Sequence, residues 1–140
     1  MKLTLDTETI RLITFFENMT RTTIRDCIID ESSNTVFFVV ENGKIGIAIG
    51  KNGNSVKNAE RLIGKNIKLF EFSEDICTFV KRVIPQANSI KIRNDRKKRI
   101  VEVKVDNREK AFVIGRGGRN LKLYRELLKR NHHVDDLIIK

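Results

Sequence analysis

The chain has 140 residues, 40% hydrophobic and 33% charged, and its 28 Lys and Arg outnumber 18 Asp and Glu to give a net charge of +10. That balance describes a soluble globular chain. The longest apolar runs are of the kind seen at 36–40, far short of a transmembrane span, and Asp6 and Glu8 interrupt any signal-peptide core after Lys2. A cytoplasmic protein without a membrane partner is therefore expected. Charge is unevenly placed: residues 1–73 carry net +1 and residues 74–140 net +9, so the second half points to a polyanionic partner. Cys27 and Cys77 form no C-x-x-C pair and are expected to be buried as small apolar groups.

Taken in chain order, Asp6-Thr7-Glu8 offers helix-start residues before Ile10, Ile13 and Phe16. With Leu12, Phe15 and Met19 widening the stripe, the pattern predicts a helix over 7–19. Residues 22–30, rich in Thr and Ile, and 35–41, β-branched and aromatic, read as two strands around a turn at 31–34. A brief helix is expected over 44–49. A second helix, with Val56, Ala59 and Ile63 on one face, is expected over 54–63, capped by Gly64. A third strand follows over 66–72.

The second half repeats this order. Ser73 is expected to cap a helix over 74–84 that Pro85 stops, with a stripe of Ile76, Phe79, Val80 and Val83. Strands are expected over 87–93 and 100–105, around a basic turn at 94–99. Asp106 with Glu109 resembles a capping box opening a short helix that ends near Ile114. A strong helix over 119–130 follows, its face set by Leu121, Tyr124 and Leu128 with Leu127, and a last strand over 134–139. No linker rich in Pro, Gly or Ser separates the halves, so a fixed packing of two domains is expected.

Between the paired helices of each half stands the same short stretch. Ile49-Gly50-Lys51-Asn52-Gly53-Asn54-Ser55-Val56-Lys57 recurs 65 residues later as Ile114-Gly115-Arg116-Gly117-Gly118-Arg119-Asn120-Leu121-Lys122. One such GxxG is a chance match more often than a site. Two copies in matching contexts reverse that judgement. The outer glycines permit positive φ and keep side chains out of the way. Lys51 and Arg116 supply positive charge, and the free amides of the helix start that follows favour an anion such as phosphate.

Helix-strand-strand-helix-GxxG-helix-strand resembles the type II KH domain. The tandem of Ala48-Ile49-Gly50-Lys51-Asn52-Gly53 and Val113-Ile114-Gly115-Arg116-Gly117-Gly118-Arg119-Asn120-Leu121 resembles the paired KH domains of the NusA transcription elongation and termination factors. The ending Asp135-Asp136-Leu137-Ile138-Ile139 is similar to the short archaeal form. The resemblance implies an α+β protein of two KH domains, 1–73 and 74–140, each a three-stranded mixed sheet covered by helices on one face.

It also implies binding of single-stranded RNA by a monomer, with RNA polymerase or a transcription complex as a further partner, in termination or antitermination. Each loop would clamp about four nucleotides of backbone: Gly50, Lys51, Asn52 and Gly53 in the first, Gly115, Arg116, Gly117, Gly118 and Arg119 in the second. Lys57 and Lys122, one turn into the next helices, would meet phosphates or belong to a solvated helix face. Ile49 and Ile114, with Val56 and Leu121, would line the base-binding grooves or belong to the core. The run Arg96-Lys97-Lys98-Arg99 either extends the RNA track or is a solvated hairpin tip.

Two other function classes are open to the residues. One is a KH adaptor of the ribosome or of RNA decay. The other, a nucleotide-binding enzyme, is poorly served. The stretch 46–51 has its glycines too close for a phosphate-binding loop, and Asn52 replaces the Ser or Thr needed for magnesium. The second loop lacks the dinucleotide glycine spacing. Adjacent His132 and His133 diverge on a helix and make a poor metal pair. No cofactor is expected.

Overall fold

The computed structural model describes residues 7–140; Asp6, expected among the helix-start residues, lies outside them. The chain divides into two compact units, the first ending at Ser73 and the second spanning Glu74–Lys140. The first contains α1 (Thr7–Thr20), β1 (Ile24–Asp30), β2 (Thr35–Val40), α2 (Ile45–Ile49), a 3-10 turn (Lys51–Gly53), α3 (Asn54–Ile63) and β3 (Asn66–Glu71). The second contains α4 (Ile76–Val83), β4 (Ser89–Asp95), β5 (Lys98–Lys104), α5 (Asn107–Ile114), a 3-10 turn (Arg116–Gly118), α6 (Arg119–His132) and β6 (Asp136–Ile139). Each is the helix-strand-strand-helix-helix-strand order of a KH fold.

Each sheet is mixed. In the first, β2 is central, antiparallel to β1 and parallel to β3. In the second, β5 holds the same place between β4 and β6. The pleat turns alternate residues to opposite faces, so Val36, Phe38 and Val40 share one face of β2. They join Phe16 of α1, Ala48 of α2 and Ala59 of α3 in the core of the first unit. The Phe16 and Phe38 rings stack with centroids 4.5 Å apart. Phe37 and Val39, on the opposite face of β2, are buried too, and Phe37 stacks on Phe70 at 6.2 Å. In the second unit Val101 and Val103 are buried, as are Phe79, Val83, Leu127 and Leu137, while Glu102 is half-buried and Lys104 exposed.

Several local expectations are corrected. In α1, Ile10 is 52% exposed. A three-residue spacing slips about 60° per step against a 3.6-residue turn, so Ile10 lies about 120° from Phe16. The core side is made by Phe16 with Leu12, Ile13 and Met19. The fully buried face of α6 is Leu123, Leu127 and Leu128, whereas Leu121 and Tyr124 are half-buried. The cap of α4 is Asp75, not Ser73: its carboxylate accepts from the Thr78 amide at 2.9 Å and the Thr78 hydroxyl at 2.6 Å. No capping box forms at Asp106. That residue precedes α5 without a side-chain cap, and its carboxylate accepts from Asn88 Nδ2 at 2.8 Å. The basic turn is tighter than expected: the strands run to Asp95 and from Lys98, leaving Arg96 and Lys97 as a two-residue turn. Cys27 is buried, but Cys77 is exposed on α4.

Candidate nucleic-acid interface

The two GxxG loops share one backbone. Gly50 and Gly115 have φ/ψ of 79°/170° and 78°/166°, Asn52 and Gly117 56°/27° and 64°/18°, and Gly53 and Gly118 73°/13° and 76°/18°. The same bonds close both turns. Gly53 N donates to the Gly50 carbonyl at 3.1 Å, and Gly118 N to the Gly115 carbonyl at 3.0 Å. Neither α3 nor α6 has a side-chain cap at its start. The first amide of each helix, Asn54 N or Arg119 N, donates back to the Lys51 or Arg116 carbonyl, and a helix start without a side-chain acceptor, with its dipole behind it, suits an anion.

The glycines divide into two roles that the sequence pattern does not separate. The first of each loop allows close packing. A Cβ on Gly115 would lie 2.9 Å from Asn120 Cγ and 3.0 Å from Asn120 N; one on Gly50 would lie 2.8 Å from Ser55 Cβ and 2.9 Å from Ser55 N. With φ near +80° and ψ near 170°, the backbone there is also open essentially to glycine alone. The loop thus closes onto the first turn of its own following helix. Asn120 reinforces this by donating from Nδ2 to the Phe112 carbonyl at 3.0 Å, which ties α6 to α5. Ser55 and Asn120 occupy the one Ser/Asn position of the repeat, to which the pattern alone assigns no role; their packing on the first glycine supplies it. Gly117 and Gly118 have open space where a side chain would be. They leave main chain bare toward solvent.

The charged residues of both stretches face solvent. Lys51, Asn52 and Lys57 are exposed in the first unit, and Arg116, Gly117, Arg119 and Lys122 in the second. Lys57 folds back over its loop, its Cε 3.7 Å from where a Gly53 Cβ would sit. Of the apolar candidates, Ile49 is 39% exposed and Ile114 half-buried, while the preceding Ala48 and Val113 are fully buried. One residue thus anchors each short helix to the core and the next opens toward the loop. Val56 packs against the core cluster, and Leu121 is half-buried. Ile47 and Phe112, three residues before the first glycine of each loop, are 53% and 65% exposed. Each unit so presents a GxxG turn with exposed cations beside exposed apolar surface.

His132 is buried, with its ring 5.3 Å from that of Phe79, and His133 is exposed. Burial pushes the Tyr124 phenol above its ordinary value. Among the described residues no three His, Cys, Asp or Glu side chains gather to hold a metal, and no helix is long and apolar enough to cross a membrane.

The KH domain family model matches residues 11–74, most of the first unit. Over the whole chain the sequence is similar to proteins described as probable transcription termination protein NusA. The Methanocaldococcus jannaschii protein is 33% identical over 95% of this chain and 73% of its own length. The Methanococcus vannielii protein is 37% identical over 86% and 70%. That of Thermoplasma acidophilum is 31% identical over 99% and 96%. The crystal structure of APE1850 is similar in fold, with a TM-score of 0.80 and 34% identity over 97% of this chain and all of that one. Two KH units with one shared loop geometry, and similarity to these proteins over most of the chain, place it in the short archaeal NusA-like family.

Proposed function

We propose that the protein binds single-stranded RNA and acts in transcription termination or antitermination, holding nascent RNA with its two GxxG loops. The observation that carries this reading is the repeated loop itself. Two stretches of different sequence adopt the same backbone to within about ten degrees, each with an uncapped helix start and exposed cations. Phosphate oxygens suit such a turn, and unpaired bases can rotate onto the apolar surface beside it. The names of the relatives supply the setting, transcription, and RNA polymerase or a transcription complex is the further partner.

The second loop is the stronger grip. It lies in the half of net charge +9, carries both Arg116 and Arg119, and has Gly117 where the first loop has Asn52. Lys51→Asp with Asn52→Asp, and separately Arg116→Asp with Gly117→Asp, place carboxylates where phosphate would sit. Fluorescence anisotropy over a salt series should show weaker RNA binding by both variants, and weaker still by the second. The slope of log affinity against log salt should shrink by about 0.7 for each phosphate no longer neutralised. Duplex RNA should bind less well than single-stranded RNA. A folded second-loop variant that binds RNA like the parent would place the RNA site elsewhere. Co-purification with ribosomal subunits in place of RNA polymerase would overturn the transcriptional setting.

A further inference from the structure

The β4–β5 hairpin turns on Arg96 and Lys97 alone, with Asp95 paired to Lys98. Both turn residues have positive φ, 49° and 67°. This turn shape favours Asn-Gly, because the left-handed region crowds the Cβ of other residues. Here it is occupied by two long cations, so turn stability is given up at both positions. Strain of this kind tends to be kept where the side chains have a task.

The surroundings leave those cations free for a partner. Asp95 pairs with Arg93 at 3.8 Å and Asp136 with Arg125 at 3.3 Å, while Asp135 accepts from the Arg99 amide at 2.7 Å. Each carboxylate near the tip is thus engaged by another group. Arg96, Lys97 and Lys98 are exposed and have no ion-pair partner among the described residues.

The position of the tip is fixed as well. Arg99 Nη1 donates to the His132 carbonyl at 2.8 Å, at the last residue of α6. That helix begins at Arg119, directly after the second GxxG loop, and runs 14 residues, or about 21 Å. Loop and hairpin therefore sit toward opposite ends of one helix in one unit.

We propose that the Arg96-Lys97 turn is a second RNA-binding point, gripping phosphates of the strand beyond the nucleotides held at the second GxxG loop. This rests on the RNA-clamp reading above. A guanidinium fork and a mobile ammonium suit phosphates presented at variable angles. A strand leaving the loop along α6 would reach them only if it extends past the clamp.

The test is Arg96→Asn with Lys97→Gly in the full chain. Asn-Gly relaxes the turn, so the urea midpoint should rise. For a 12-nucleotide single-stranded RNA, leaving two phosphates without their cations should lower the salt slope by about 1.4, which corresponds to roughly 25-fold weaker binding at 0.1 M salt relative to 1 M. A tetranucleotide, long enough for one clamp only, should bind the variant and the parent alike by NMR titration. Arg96→Gln with Lys97→Gln removes the charge but keeps the strained turn, and should show the same weakening toward RNA without the gain in stability. If either variant binds the 12-mer with the parent's affinity and slope, the hairpin proposal is wrong and the loop clamp stands. Equal weakening on both RNA lengths would also overturn it, since that signals a diffuse charge effect. Parental binding by Arg116→Asp with Gly117→Asp would instead remove the clamp reading on which the proposal depends.

Discussion

Alanine at Gly115 should be far more damaging than alanine at Gly117, although the two glycines are two residues apart in one exposed loop. At Gly115, φ of 78° with ψ of 166° is a region essentially closed to L side chains, at a cost of about 1–3 kcal/mol. The added Cβ would also sit 2.9 Å from Asn120 Cγ and 3.0 Å from Asn120 N, well inside the 3.5–4.0 Å optimum for carbon atoms. The Asn120 side chain could swing away, but its amide belongs to the first turn of α6. Relief therefore needs the helix start to move, which adds about 1 kcal/mol of the overpacking cost. The sum is about 2–4 kcal/mol. In a unit of this size each kcal/mol lowers Tm by about 4–8 °C, so a fall of about 10–30 °C is expected. At Gly117, φ is 64° with ψ of 18° and nothing lies within 4 Å, leaving only a left-handed penalty of about 1–2 kcal/mol. Gly117→Asn should cost less again, because Asn52 holds that conformation in the first loop. Urea denaturation followed by circular dichroism measures all three. If Gly115→Ala is no more destabilising than Gly117→Ala, the packing role of the first glycine is refuted.

Two further outcomes are expected. Hydrogen bonds from the Thr78 hydroxyl, and then from its amide, hold the Asp75 carboxyl below its ordinary value of 3.8. The resulting stabilisation is complete above pH 3.8 and is lost as pH falls through the lowered value. Asp75→Ala should therefore lower Tm at pH 7, by a margin that narrows below pH 3.8; a margin independent of pH would contradict this cap. In native buffer one thiol, Cys77, should react rapidly with a disulfide reagent, and Cys77→Ser should abolish that phase. Cys27 should react only in denaturant; two fast thiols would place Cys27 outside the core.

The sequence carries the architecture well where period and punctuation agree. Residues 54–63 lie between a glycine start and a glycine stop, with Val56, Ala59 and Ile63 at helical spacing, and α3 has those bounds. The runs at 35–41 and 100–105 are dense in β-branched residues and become the central strands. Legibility fails where several residues could serve one purpose. Ser73, Glu74 and Asp75 all suit a helix start, and only the Thr78 donors select Asp75. In α6, Leu121, Leu123, Tyr124, Leu127 and Leu128 offer two overlapping apolar faces, and packing chooses the one through Leu123 and Leu127. The loops are visible as a repeat, but the tight approach of Gly115 to Asn120 depends on ψ at the glycine, which no residue pattern encodes. Arg96 and Lys97 carry none of the usual marks of a tight hairpin, so the basic turn at 94–99 is legible but its narrowing to two residues is apparent only from the register of Asp95 with Lys98.

Each GxxG loop lies inside the longest chain excursion of its own sheet. The hairpins bring together residues close in sequence, Asp30 with Thr35 and Asp95 with Lys98. The parallel edges join Thr35 to Asn66 and Ile100 to Asp136, with α2 and α3, or α5 and α6, in between. Loop-closure entropy rises with the logarithm of the excursion, so the parallel pairing costs about 2 kcal/mol more to close than the hairpin. That extra cost must be offset by the packing of the two helices on the sheet. The helix pair that frames the GxxG loop is thus also what makes the non-local edge stable, and each substitution that loosens the turn between those helices weakens the long-range half of the folding reaction.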